Sequence, residues 1–287
     1  MTTHDPMISA EELAAGLHEP RLRVLDCRFN LADPGAGRRA YAATHLPAAQ
    51  YCGLEPDLSA PVVAGSGRHP LPSPAEFAAT LRRLGVQRDS QVVAYDDRDS
   101  MYAARLWWML RWIGHADVRV LDGGFARWEA LGLPLSSELA QPPVVSAELV
   151  PRPRPELLVD ADAVAGLAAA PDQRLLDARA PERFRGEVEP IDRVAGHVPG
   201  ARNRPYQRSL AEDGRLLDAD TLRAGLLVAL DGVPAARSAA MCGSGVTACH
   251  LLLALERAGL PGARLYAGSW SEWIADPRRP VARGPTP

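Results

Sequence analysis

Cys242 stands where a thiol could do chemistry. It follows the short apolar run Ser238-Ala239-Ala240-Met241 and opens Cys242-Gly243-Ser244-Gly245-Val246-Thr247; from Val246 to Glu256 the chain then reads as a mostly apolar helix. Each residue type has a use in such a strand–loop–helix join. Glycines admit positive φ and let the backbone curl. A curled loop can aim several N–H groups at one point as an anion nest, and the helix presents its positive end there. A cysteine so placed is expected to be held as thiolate, a strong nucleophile. The same donors would hold a persulfide anion afterwards. The competing reading, a buried core cysteine, has no use for the Gly-x-Gly bend beside it.

Two other chemistries share parts of this pattern. Gly243-x-Gly245-x-x-Ala248 fits a dinucleotide-binding fingerprint. That fingerprint wants an acidic residue about 20 positions on, at the next strand end, and Arg264-Leu265-Tyr266-Ala267 has none. It also belongs in the first βαβ unit, whereas this loop comes late in the chain. A cysteine phosphatase needs an arginine at the far end of the loop to grip a phosphoryl group bidentately, and Ala248 stands there. The remaining cysteines, Cys27, Cys52 and Cys249, form no C-x-x-C pair, and the seven histidines show no H-x-x-x-H spacing. Neither a disulfide framework nor a zinc site is expected. Cys249 and His250 are neighbours whose side chains diverge by about 100° on a helix, so Cys249 reads as core.

The elements that must position Cys242 occur twice. Val24-Leu25-Asp26-Cys27-Arg28 recurs as Leu175-Leu176-Asp177-Ala178-Arg179, and His45-Leu46-Pro47-Ala48-Ala49 as His197-Val198-Pro199-Gly200-Ala201. Gly123-Gly124-Phe125-Ala126-Arg127-Trp128 recurs as Gly268-Ser269-Trp270-Ser271-Glu272-Trp273. Two copies of one domain account for this. Between them, Ser136 to Pro155 carries prolines at 142, 143, 151, 153 and 155, which suits an extended linker. The boundary is placed near 145, giving domains 1–145 and 146–287. Strands are predicted at Arg21 to Asp26, Gln91 to Tyr95, Val118 to Leu121, Arg174 to Asp177 and Ser238 to Met241. Capping boxes at Ser9-Ala10-Glu11-Glu12 and Ser73-Pro74-Ala75-Glu76 open helices. Strands alternating with helices predict parallel α/β sheets, with ligands at the strands' carboxyl ends.

The first copy's loop is Tyr95-Asp96-Asp97-Arg98-Asp99-Ser100-Met101 and has no cysteine. Its three carboxylates would repel an anionic substrate, so the first domain is expected to be non-catalytic. A metal held by these aspartates ranks below a solvated loop with a local Arg98 pair. The 287 residues suit two domains, and 47% hydrophobic and 23% charged residues match a globular protein. A net charge of −3 gives nucleic acid no footing as a partner. No run approaches a membrane span, and MTTHDPMISAEELAAGLHEP has neither a basic start nor an apolar core, so a cytoplasmic protein is expected.

The segment from Cys242 to Ala248 resembles the active loop of two-domain rhodanese-type sulfurtransferases, most closely the 3-mercaptopyruvate sulfurtransferase branch. The likeness includes His45 to Ala49, Gly67-Arg68-His69-Pro70-Leu71-Pro72, Asp177-Ala178-Arg179, Glu182-Arg183-Phe184, Gly196 to Ala201 and Gly268 to Trp273. The resemblance implies an α/β fold of two tandem rhodanese-like domains, each a mainly parallel sheet flanked by helices, with the catalytic loop in the second. It implies Cys242 as nucleophile and Ser244 as proton relay, aided by His45, which Asp33 would orient. It implies Arg183 on the donor's carboxylate, with Gly243, Gly245, Val246 and Thr247 completing the substrate site. A second arginine, usual soon after Glu-Pro in the family, is missing behind Glu189-Pro190, and Arg193 is the replacement on offer. In the thiosulfate-preferring branch the two residues after the cysteine are basic. Here they are the neutral Gly243 and Ser244, which suit the monoanionic 3-mercaptopyruvate. Thiosulfate stays open as donor, as does a persulfide carrier serving a protein partner. The implied acceptors are a thiol, cyanide or a thioredoxin-like protein, with no cofactor or metal.

Overall fold

A computed structural model describes residues 5–285 apart from 140, 146 and 148. The chain forms two compact units. The first comprises Met1–Ala60, Leu71–Arg154 and Ala211–Leu216; the second comprises Pro61–Pro70, Pro155–Leu210 and Leu217–Pro287. Each unit therefore takes in a short segment from the other's stretch of sequence.

The first unit runs β1 (Met7–Ile8), α1 (Ala10–Gly16), β2 (Leu22–Asp26), α2 (Ala36–Ala43), β3 (Gln50–Tyr51), α3 (Leu54–Leu58), α4 (Pro74–Arg83), β4 (Gln91–Tyr95), α5 (Ala103–Trp112), β5 (Val118–Leu121) and α6 (Gly124–Ala130). Its strands pair in parallel in the order β1-β5-β4-β2-β3. Short, almost wholly apolar strands are what a sheet covered on both faces requires. Val24, Val93 and Leu121 point from it into a core shared with Leu13, Leu46 and Trp128. Ser73 accepts the Glu76 N–H while Glu76 accepts the Ser73 N–H, so α4 opens on the predicted capping box with Pro74 in its first turn. At α1, Ser9 accepts from the Glu12 N–H. The proline-rich stretch runs along this unit: Ala147 accepts from the Arg88 N–H (3.2 Å), and Arg152 and Arg154 donate to Ile113 and Trp112 (2.8 Å each).

The second unit repeats the plan with α7 (Ala161–Ala169), β6 (Arg174–Asp177), α8 (Pro181–Arg185), β7 (Arg202–Asn203), α9 (Ala219–Leu230), β8 (Ser238–Met241), α10 (Thr247–Arg257), β9 (Arg264–Leu265) and α11 (Ser269–Trp273). Its parallel sheet is ordered β7-β6-β8-β9, over a core that includes Val164, Leu175, Phe184, Met241, Trp270 and Trp273. Both units are the expected parallel α/β layers.

The repeat extends to individual bonds. Asp26 accepts the Arg28 N–H and its guanidinium (2.6 Å), and Asp177 does the same for Arg179 (2.7 Å). Tyr95 lies opposite Asp26 in one sheet and Met241 opposite Asp177 in the other. Asp96 thus occupies the place in the first unit that Cys242 holds in the second. Its carboxylate turns back into its own loop. One oxygen accepts from the N–H groups of Arg98 (3.3 Å) and Ser100 (3.0 Å), the other from those of Tyr102 (2.8 Å) and Ala103 (3.2 Å). The donors that could cradle a bound anion are already filled by a side chain.

Burial pushes the Asp96 carboxyl up to about 7 from its ordinary 3.8; Asp99 adds to the rise, and the Ala103, Tyr102 and Ser100 amides oppose it. A folded-state value above the unfolded one means that the folded chain holds the extra proton. The resulting stabilisation is complete below the ordinary value and is lost as pH rises through about 7. The stability of wild type relative to Asp96→Asn should therefore fall between about pH 4 and 7. Urea midpoints of the two proteins across that range check this, and parallel curves would refute it.

Candidate active site

Cys242 begins where β8 ends, and main-chain and hydroxyl contacts fix its loop. The Cys242 N–H donates to Ser269 Oγ (3.1 Å), and the Ser269 hydroxyl donates to the Tyr266 carbonyl (2.8 Å). The Cys242 and Gly243 carbonyls accept from the N–H groups of Trp270 (3.0 Å) and Ser271 (2.9 Å). Gly245 sits at φ +78°, with the Ala267 carbonyl where a side chain would start, so only glycine serves there. Helix α10 follows with Val246 as cap residue and no side-chain cap, which leaves its positive end turned to the loop. Cys242 is 2% exposed. Such enclosure screens a reactive sulfur from water.

Ser244 is buried, and its Oγ lies 2.8 Å from His69 Nδ1. His69 comes from the 61–70 segment, which belongs to the same compact unit as the loop. The Arg68 N–H donates to Ser271 Oγ (3.0 Å), which ties that segment to the residues holding Gly243. A side chain at 243 would begin 2.9 Å from Arg68 Nη2 and 3.6 Å from Arg183 Nη2. Glycine there lets both guanidiniums overhang the backbone beside Cys242.

Carboxylates position these arginines. Glu189 grips Arg183 through Nε (3.1 Å) and Nη2 (2.7 Å), approaches Arg179 (3.5 Å), and accepts the N–H groups of Ile191 and Asp192. Asp192 accepts from Arg68 through one oxygen and from Arg183 through the other (3.1 Å). Burial raises the Asp192 carboxyl, against the pull of Arg68, Arg183 and Arg179. Burial also works against the Arg179 charge, but Asp177, Glu189 and Cys242 outweigh it and push that guanidinium up.

Of the residues read from sequence, Cys242, Gly243, Ser244, Gly245, Val246, Thr247 and Arg183 meet at this loop. His45 does not assist Ser244. Its Nδ1 faces the Tyr41 carbonyl (2.7 Å), its Nε2 faces that of Glu138 (3.2 Å), and its ring stacks on Tyr41. His197 repeats this, with Nδ1 on the Phe184 carbonyl (2.8 Å) and its ring on Phe184. The motif histidine is a packing element of both copies. Asp33 pairs with Arg39 rather than with His45. Arg193 donates to the Ile274 carbonyl (2.5 Å), and Arg68 stands over the loop where a second arginine was missing. Arg68, His69 and Asp192 were not identified as site residues from sequence, although Arg68 and His69 lie within a stretch that carried the resemblance. Cys249 is core, its sulfur on the Gly245 carbonyl (3.2 Å). Among the described residues, no group of three or more His, Cys, Asp or Glu is arranged to hold a metal ion, and no helix is long and apolar enough to cross a membrane.

The model of the rhodanese-like domain matches this chain twice, over residues 9–131 and 160–276. A Pseudomonas aeruginosa protein named "Probable 3-mercaptopyruvate sulfurtransferase" is 52% identical over 280 residues, 97% of this chain and 98% of its own. The thiosulfate sulfurtransferase of Bos taurus is 36% identical, covering 96% of this chain and 93% of its own. The crystal structure of SseA from Escherichia coli, described as a 3-mercaptopyruvate sulfotransferase with the rhodanese fold, superposes with a TM-score of 0.80 at 33% identity, over 93% of this chain and all of that one.

Histidine substitutions separate packing from chemistry. His45→Ala should lower stability by about 1–3 kcal/mol through the lost hydrogen bonds and ring contact, and leave turnover of the folded protein near wild type. His69→Ala should cut turnover by about 10²–10⁴-fold, the usual worth of a positioned proton-transfer group, with little change in melting temperature. Thermal unfolding and steady-state kinetics on both variants check this, and the reverse pattern would return the relay to His45.

Proposed function

Because the chain belongs to the rhodanese-like domain family, we propose that it is a sulfurtransferase that takes sulfur from 3-mercaptopyruvate onto Cys242 and passes it to a thiol. The observation that carries this reading is the single turn at the end of β8, where Cys242, the Ser244–His69 pair and two overhanging guanidiniums converge.

The cycle balances in two steps. Cys242 thiolate attacks the donor's sulfur and forms an S–S bond. The donor's C–S bond breaks, and its electron pair leaves with the pyruvate fragment as an enolate. That carbon takes a proton delivered through the Ser244 hydroxyl from His69, 2.8 Å away, and the proton of the donor's thiol replaces it on His69 as the persulfide ionises. Arg183 and Arg68 bind the donor's carboxylate, Arg183 through the planar fork that matches it. The loop's N–H groups and the positive end of α10 stabilise the charge on the outer sulfur of the persulfide. An acceptor thiolate then attacks that sulfur, breaks the S–S bond and returns Cys242 as thiolate. A small thiol, a reduced thioredoxin-like protein or cyanide can serve as acceptor. The reading places the reaction in the cytoplasm, where thiols are kept reduced. The neutral Gly243 and Ser244 beside the sulfur support mercaptopyruvate over thiosulfate.

The test is release of pyruvate and sulfide from 3-mercaptopyruvate with a thiol acceptor, run beside thiocyanate formation from thiosulfate and cyanide. The mercaptopyruvate reaction should be the faster, and mass spectrometry should find one added sulfur on Cys242 before the acceptor is supplied. Cys242→Ser should abolish both reactions; normal turnover in that variant would end the proposal. Arg183→Ala should raise KM for mercaptopyruvate by about 10–150-fold, the loss of ~1.5–3 kcal/mol of charged hydrogen bonding, and an unchanged KM would remove Arg183 from the site.

A further inference from the structure

We infer that Asp192 is a specificity-determining residue: its carboxylate, set between Arg68 and Arg183, cancels the surplus positive charge over the Cys242 loop and so favours a monoanionic sulfur donor over a dianionic one. This rests on the sulfurtransfer reading and adds to it the charge of the donor.

The charges over the loop pair one for one. Three guanidiniums, those of Arg68, Arg179 and Arg183, interlock with three carboxylates, those of Asp177, Glu189 and Asp192. The side chains of Glu189 and Asp192 are 3% and 4% exposed. The cluster is balanced before any donor arrives. Each negative charge that a donor brings is then unmatched by a surplus cation, so a dianion carries one uncompensated charge more than a monoanion, in a medium where unpaired charge is costlier than in water. The two outer carboxylates differ in their duties. Glu189 also holds Arg179 and two backbone N–H groups, so it shapes the 189–192 turn. Asp192 spends one carboxylate oxygen on each overhanging arginine. Burial already raises its carboxyl, so the negative charge is held there against a desolvation cost. Gly243 puts no side chain between these arginines and the backbone that carries the sulfur, so the balance is felt at the reacting atom.

Asp192→Asn keeps the shape and removes the charge. The ratio of kcat/KM for thiosulfate to that for 3-mercaptopyruvate should rise by about tenfold or more, and added salt should shrink the rise. Asp192→Glu should leave the ratio near wild type. A residue that merely holds the arginines in place would lower both donors together, so an unmoved ratio in an active Asp192→Asn protein overturns the inference. If that variant does not fold, wild type decides by competition: pyruvate, a monoanion, should inhibit more tightly than sulfate, a dianion, and sulfate binding as tightly or tighter overturns it. A wild-type protein silent with both donors would sink the sulfurtransfer reading itself, whereas active wild type with an unmoved ratio counts against Asp192 alone.

Discussion

Everything at the Cys242 loop depends on guanidiniums meeting carboxylates that the fold has taken out of water. Asp177 ends β6, Arg179 folds back on it, Glu189 joins Arg179 to Arg183, and Asp192 joins Arg183 to Arg68. Removing one member leaves its neighbour charged in a poorly solvated place, which costs far more than any single surface pair is worth. Each member of the series therefore leans on the next. Its product is geometric: two guanidiniums are held over Gly243, the chain neighbour of Cys242. Groups fixed in advance need no reorganisation when charge develops beside them.

One scaffold supports opposite outcomes in its two copies. The Asp-x-Arg pair, the stacked motif histidine and the buried tryptophan whose indole N–H reaches a proline carbonyl (Trp128 to Pro134, Trp273 to Pro280) occur in both. At the end of the central strand the copies part. In the second, Cys242 opens the turn. In the first, Asp96 supplies its own carboxylate to four backbone donors. A single side chain is enough to fill such a turn while keeping its backbone satisfied.

Local features were legible in the sequence because local rules produce them. Gly243 and Gly245 announce a curled loop, short apolar runs announce covered strands, and Ser73 with Glu76 announces a helix start. The strands from Gln91, Val118, Arg174 and Ser238 fall where their composition places them. His69 was harder. It is brought to Ser244 by a contact spanning 175 positions, and nothing in the periodicity of residues 61–70 reports such a pairing. His45 drew attention because it sits in a recognisable motif, yet that motif recurs at His197. His45 and His197 make the same contacts in both copies, whereas Arg68 and His69 have no counterpart among the repeated motifs. Arg193 failed as a substitute arginine because proximity along the chain says little about which way a side chain leaves a turn.

The exchange of short segments between the compact units carries an evolutionary consequence. The gene for such a chain looks like a tandem duplication, and each half has kept its own sheet. Residues 61–70 nevertheless fold with the second half and bring Arg68 and His69 to it, while residues 211–216 fold with the first. Recombination that cut at the linker and passed on only the downstream copy would transmit Cys242 and Ser244 without Arg68 and His69.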